Sequence, residues 1–100
     1  TSAKRSEILP DVPTLIESGI KGVDVYSWQA VVGAKGLPTD VRDKMHAGIV
    51  AALNDPAIKQ QFTSVGFEIV ANTPAQFAAF QQQEFARWKQ VIETRKITAD

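Results

Sequence analysis

Apolar positions along the chain follow two periods, and each period predicts its own elements. Val41, Met45, Ile49 and Leu53 recur every four residues, which predicts a helix with one inward stripe. The turn Lys35-Gly36-Leu37-Pro38 precedes it, Thr39 is placed to cap it, and Asp40 and Asp43 sit where carboxylates favour the positive end of a helix dipole. Asp55-Pro56 starts a second helix with Ile58, Phe62 and Val65 inward and Gly66 as its stop. Thr73-Pro74-Ala75-Gln76 reads as a Thr-x-x-Gln capping box opening a long final helix to about Lys96. Along that helix Phe77, Phe80, Glu84 and Trp88 share a row that continues into Val91 and Ile92, which reads Trp88 as core. Pro13 to Ser18 is a short helix ended by Gly19. The second period is two. Val23 to Gly33 reads as a long strand, with Tyr26, Trp28, Ala30 and Val32 on one face. The other face carries Val23, Val25 and Val31, interrupted by Ser27 and Gln29. Phe67 to Ala71 reads as a short strand.

These elements do not make a self-sufficient body. A long strand apolar on both faces wants cover on both sides, and a sheet of two strands is marginal in water. The final helix, at ~1.5 Å per residue, is roughly 33 Å long, about the diameter of a compact domain of this size. Both features point to a piece of a larger body or to an obligate oligomer. The unpaired strand edge and the long helix are suited to exchange between copies, with a two-fold dimer the simplest closed outcome.

Composition narrows the field modestly. One hundred residues, 44% apolar and 22% charged, describe a globular chain of one domain at most. Eleven basic and eleven acidic side chains cancel, so no net field favours nucleic acid or an anionic membrane surface. The absence of cysteine excludes disulfides and thiolate metal sites. No apolar stretch approaches the ~20 residues of a spanning helix, so membrane insertion is not expected. No basic, apolar leader opens the chain; a mature or truncated export product has the same appearance.

Candidate chemistry is sparse. His46 is the one histidine, mid-helix, without a second ligand at metal spacing, and reads as a surface residue. No nucleophile, base and orienting acid stand together, so an enzyme, a metal and a cofactor are not expected. Gly19 and Gly22 lack the strand–glycine–helix setting of a phosphate loop. Arg87, Lys89, Arg95 and Lys96 read as a solvated face that complements a helix C-terminus. Ser27 and Gln29 are the conspicuous pair: buried unpaired in a central strand, each would cost ~1–3 kcal/mol, so a ligand, water or neighbouring backbone must satisfy them.

Leu9 to Gly19, Leu-Pro-Asp-Val-Pro-Thr-Leu-Ile-Glu-Ser-Gly, carries a family resemblance. It resembles the Pro-Asp-Val-Pro-Thr…Glu-x-Gly segment of the Bug-type solute receptors of tripartite tricarboxylate transporters. The likeness continues through Ser27-Trp28, Gly36, Pro38, Leu53, Asp55-Pro56, Gly66, Thr73-Pro74, Phe77, Phe80, Glu84 and Trp88. There are departures: the family often has an aromatic then Gly where Gln29 and Ala30 stand, Pro at Ala34, Asn at His46 and Gly at Lys96. Gln29 and Ala30 put ligand identity in doubt, whereas the others read as surface or packing drift.

The resemblance implies an α/β chain, a fragment of a type II periplasmic-binding-protein fold, helix-rich with one long and one short strand. Residues 1–100 would be a single partial domain, the C-terminal portion of a two-lobed periplasmic receptor. The parent would capture a small carboxylate for transporter membrane subunits. Ser27 would donate to a carboxylate oxygen or bridging water, Gln29 from its amide, and Trp28 would wall the cleft. The alternatives are a stand-alone oligomerising interaction module without ligand chemistry and, more weakly, a fragment of a metabolic enzyme.

Overall fold

The computed structural model describes residues 1–99, and the chain divides into two compact units, Thr1–Ile69 and Val70–Asp100. Three helices are present among the described residues: α1 (Thr39–Leu53), α2 (Pro56–Ser64) and α3 (Pro74–Arg95).

The helix boundaries follow from local chemistry. Asp55 caps α2, its Oδ1 accepting from the amides of Ala57 at 2.9 Å and Ile58 at 3.2 Å, with Pro56 in the first turn where its missing N–H costs nothing. The capping box of α3 forms as the sequence predicts: Gln76 N donates to Thr73 Oγ1 at 3.2 Å, and Thr73 N donates to Gln76 Oε1 at 2.9 Å. Helix α1 differs from expectation. Its cap residue is Pro38, with no side-chain cap hydrogen bond, and Thr39 is already helical. The first turn instead closes through Arg42 N to the Pro38 carbonyl at 3.0 Å, from a proline whose φ of −54° is ring-fixed.

The C-terminal ends of α2 and α3 share one geometry. After α2, Gly66 N donates to Thr63 O at 3.0 Å and Phe67 N to Phe62 O at 3.0 Å, with Gly66 at φ +85°. That is a Schellman closure, and the Phe62 and Phe67 rings meet edge to face at 5.9 Å across it. After α3 the same pair of bonds runs from Lys96 N to Glu93 O and from Ile97 N to Ile92 O, but the left-handed residue is Lys96, at φ +51°. This is the position where the resembled family often has Gly. Lys96 is therefore more than surface drift: a side chain occupies a conformation that costs most residues ~1–2 kcal/mol.

Two strand expectations are overturned. Among the described residues no strand is present; 23–33 and 67–71 have no regular structure. A strand exists only through its partner's hydrogen bonds; in the longer segment the Val25 N–H reaches Thr1 O at 3.2 Å, and Thr1 stands in no strand. The shorter segment begins at Phe67, whose N–H is spent closing α2. The helix expected over Pro13–Ser18 reduces to a single turn, Leu15–Gly19, ended by Gly19 at φ +90°.

No hydrophobic residue is buried among the described residues. Along the α1 stripe, Ile49 and Leu53 are half-buried while Val41 and Met45 are exposed. Trp88, read as core, is 41% exposed, because α3 lies in a unit of its own short length with little apolar cover.

Candidate functional site

The family-like run Leu9 to Gly19 builds a clamp. Thr14 Oγ1 accepts from Glu17 N at 3.1 Å, and Glu17 Oε2 accepts from Thr14 N at 2.7 Å, a Thr-x-x-Glu capping box on a single turn. Ser18 Oγ adds a bond to Thr14 O at 3.0 Å, and Thr14 is one of two buried polar residues among those described. Arg5 closes over this turn: its Nε donates to both Glu17 oxygens, at 2.9 and 3.1 Å, and a terminal nitrogen donates to Pro10 O at 2.9 Å. The Arg5 hydrogen bond, then the Thr14 amide, hold the Glu17 carboxyl down at about 2, against an ordinary 4.5. The same pair raises the Arg5 guanidinium. Sequence reasoning missed Arg5 and Glu17 as partners. The Thr-x-x-Glu spacing was a legible signal for the box; nothing in the spacing marked Arg5.

The other end of this arm is tied to the start of the extended segment. Thr1 Oγ1 donates to Val25 O, and Ala3 N donates to Asp24 Oδ1 at 3.0 Å. Ser27, Trp28 and Gln29 follow directly, consecutive and exposed, with Trp28 at 39%. The burial cost inferred for Ser27 and Gln29 therefore does not arise within this chain, since solvent reaches both. The three residues are brought together by adjacency, not by convergence of separate elements.

In the second unit, Glu84 is buried on α3, with 9% of its side chain exposed. One oxygen meets an Arg87 terminal nitrogen at 2.8 Å, and the other accepts from Trp88 Nε1 at 3.2 Å. A carboxylate in this setting needs both partners, since a buried charge left alone is costly. His46 is half-buried on α1, and no group of three or more potential metal ligands stands together among the described residues. No helix among them is long and apolar enough to cross a membrane.

The geometry places exposed polar and aromatic groups on a tethered extended segment, an arrangement suited to contact with another molecule or another part of a larger protein. Comparison with known proteins identifies the class. Residues 1–97 match the model of the tripartite tricarboxylate transporter family receptor, and the chain belongs to that family. It is 36% identical over 83 residues to the UPF0065 protein in the TAR-I ttuE-ttuC' intergenic region of Agrobacterium vitis, covering 83% of this chain and 24% of that relative. It is 30% identical over 101 residues to the UPF0065 protein in the tcbD-tcbE intergenic region of Pseudomonas sp. (strain P51), covering 100% of this chain and 30% of the relative. Protein BugT of Bordetella pertussis is 32% identical over 91 residues, 91% of this chain and 28% of that protein. The chain thus spans about a quarter to a third of the length of these curated relatives. No solved structure gave a significant match.

Proposed function

We propose that this chain is the C-terminal part of a periplasmic solute-binding receptor that captures a small organic acid for the membrane subunits of a tripartite transporter. The family match across residues 1–97 carries this reading. In it, further chain pairs with the extended segment 23–33 and completes a type II periplasmic-binding-protein fold. Ser27 donates to a ligand carboxylate or bridging water, Gln29 donates from its amide, and Trp28 lines the cleft. Neutral donors of this kind hold a carboxylate without a full ion pair.

The exposed apolar side chains of the extended segment, Val31 at 72% and Val32 at 76%, support a covering body at this place.

Titration calorimetry of the intact gene product against succinate, citrate, glutamate and nicotinate tests the reading. Ser27→Ala or Gln29→Ala should weaken binding about tenfold to a hundredfold, the range of a hydrogen bond to a charged group. Trp28→Ala should cost less stability than the ~3–5 kcal/mol of a fully buried ring. Unchanged affinity in both polar variants would move the site off this segment.

A further inference from the structure

We propose that residues 5–17 form a strap over the C-terminal end of α2. Arg5 and Glu17 latch its base, and Ile8 seats it on the bare backbone of Gly66.

Both halves of this contact belong to the compact unit Thr1–Ile69, although they lie far apart in the chain. The Ile8 Cδ1 methyl lies 3.1 Å from the point where a Cβ on Gly66 would stand. Carbon atoms pack best at about 3.5–4.0 Å, so any side chain at 66 would have to push Ile8 aside. Gly66 is thereby required twice. Its φ of +85° is open to glycine, and its missing side chain makes room for Ile8. The same residue carries the stop of α2, where Gly66 N and Phe67 N donate to Thr63 O and Phe62 O and the two phenylalanine rings meet. Ile8 therefore lies against the turn that ends α2.

Ile8 reaches that turn on a loop whose ends are joined. Arg5 Nε donates to both Glu17 oxygens, and a terminal nitrogen donates to Pro10 O, two residues beyond Ile8. Glu17 is held from its own side by the Thr14 amide, so Arg5 closes onto an acceptor already in place. Between the ends, Leu9 N donates to Ser6 O and Val12 N to Leu9 O, both at 3.1 Å. These bonds turn the chain twice, the first time around Ile8. An exposed pair of flexible side chains holds little by itself. Here the planar guanidinium bridges the Glu17 carboxylate and the Pro10 carbonyl, which ties the loop on both sides of Ile8.

Hydrogen exchange read by mass spectrometry on the intact gene product tests this on the peptide spanning residues 63–68, distant from the latch in sequence. Ile8→Val, which deletes only the seated methyl, should speed exchange there about twofold, the low end for this deletion because the side chain is only half covered. Arg5→Met and Glu17→Gln should each speed it by about twofold to fivefold, the range of an exposed pair. Added to Ile8→Val, Arg5→Met should contribute less than it does alone, because both act through one contact. Arg5→Lys, which keeps the charge without the fork, should retain part of the protection. Exchange in α3 should stay near wild type, and Lys89→Met, which removes an exposed pair with Glu93, should leave 63–68 unaltered. Unchanged exchange in Ile8→Val overturns the seat on Gly66. Acceleration in Ile8→Val but in neither latch variant overturns the latch, and strict additivity or acceleration spread evenly over the protein overturns the link between the two.

Discussion

The Glu84 cluster on α3 makes an asymmetric prediction about stability. Arg87→Met leaves a carboxylate with 9% side-chain exposure facing only an indole N–H, whereas Glu84→Gln removes the charge and keeps an acceptor for Trp88. Between two buried partners, losing the cation would cost ~3–5 kcal/mol. Here the Arg87 side chain is 44% exposed, so solvent already screens the pair. The expected cost of Arg87→Met falls to ~1–2 kcal/mol. Glu84→Gln also forfeits the ion pair, but it relieves the desolvation of the charge and should cost no more than about 1 kcal/mol. The double variant should be less damaged than the sum of the two, with a coupling of about 1 kcal/mol, since residues in direct contact are not additive. Urea denaturation of the intact gene product, followed by circular dichroism, measures all four corners of the cycle. A Glu84→Gln cost equal to or above that of Arg87→Met, or strict additivity, would refute the view that burial of the carboxylate makes Arg87 necessary.

Three further outcomes are expected. Because Glu17 is depressed to about 2, its contribution to stability is complete above its ordinary 4.5 and is lost as pH falls through about 2; carbon-detected NMR titration should show that midpoint, moving back up toward 4.5 in Arg5→Met. At the two ends of α3, Lys96→Gly should stabilise by ~1 kcal/mol by relieving a left-handed side chain, and Thr73→Ala should destabilise by ~1 kcal/mol by removing the cap, both read as shifts in the urea midpoint. Prepared alone, the 100 residues should elute in light-scattering chromatography as a species heavier than 10.9 kDa, with a homodimer the simplest form; a clean monomer with cooperative unfolding would show that one copy completes its own core.

What the sequence made legible was the chemistry decided within a few residues. The Asp55-Pro56 and Thr73…Gln76 starts and the Gly66 stop depend on side chains three positions or fewer from the groups they satisfy. The strands at 23–33 and 67–71 did not form, because pairing depends on a partner that local pattern cannot supply. The Trp88 row was correctly periodic, yet periodicity says only which face wants cover, not whether cover is present. Arg5 and Glu17 lie twelve residues apart, so no local rule joined them. The family resemblance reached further than any of these readings, since an ordered set of short motifs identifies a whole architecture even where its individual members are common. For the candidate site it named Ser27, Trp28 and Gln29, and the fold adds that solvent reaches all three.

The capped ends of α3 also set an order in time. A helix of 22 residues with its start and stop encoded locally can form within ~0.1–1 μs, without waiting for the rest of the chain. The bonds from Thr1 to Val25 must first close a loop of 24 residues. Helix α3 is therefore a finished part early in folding, while the tie between Thr1 and Val25 forms later. Val31 and Val32, at 72% and 76% exposed, are the residues most available to a wrong partner during that interval. The same stretch is where a proofreading chaperone or a protease would first find this protein incomplete.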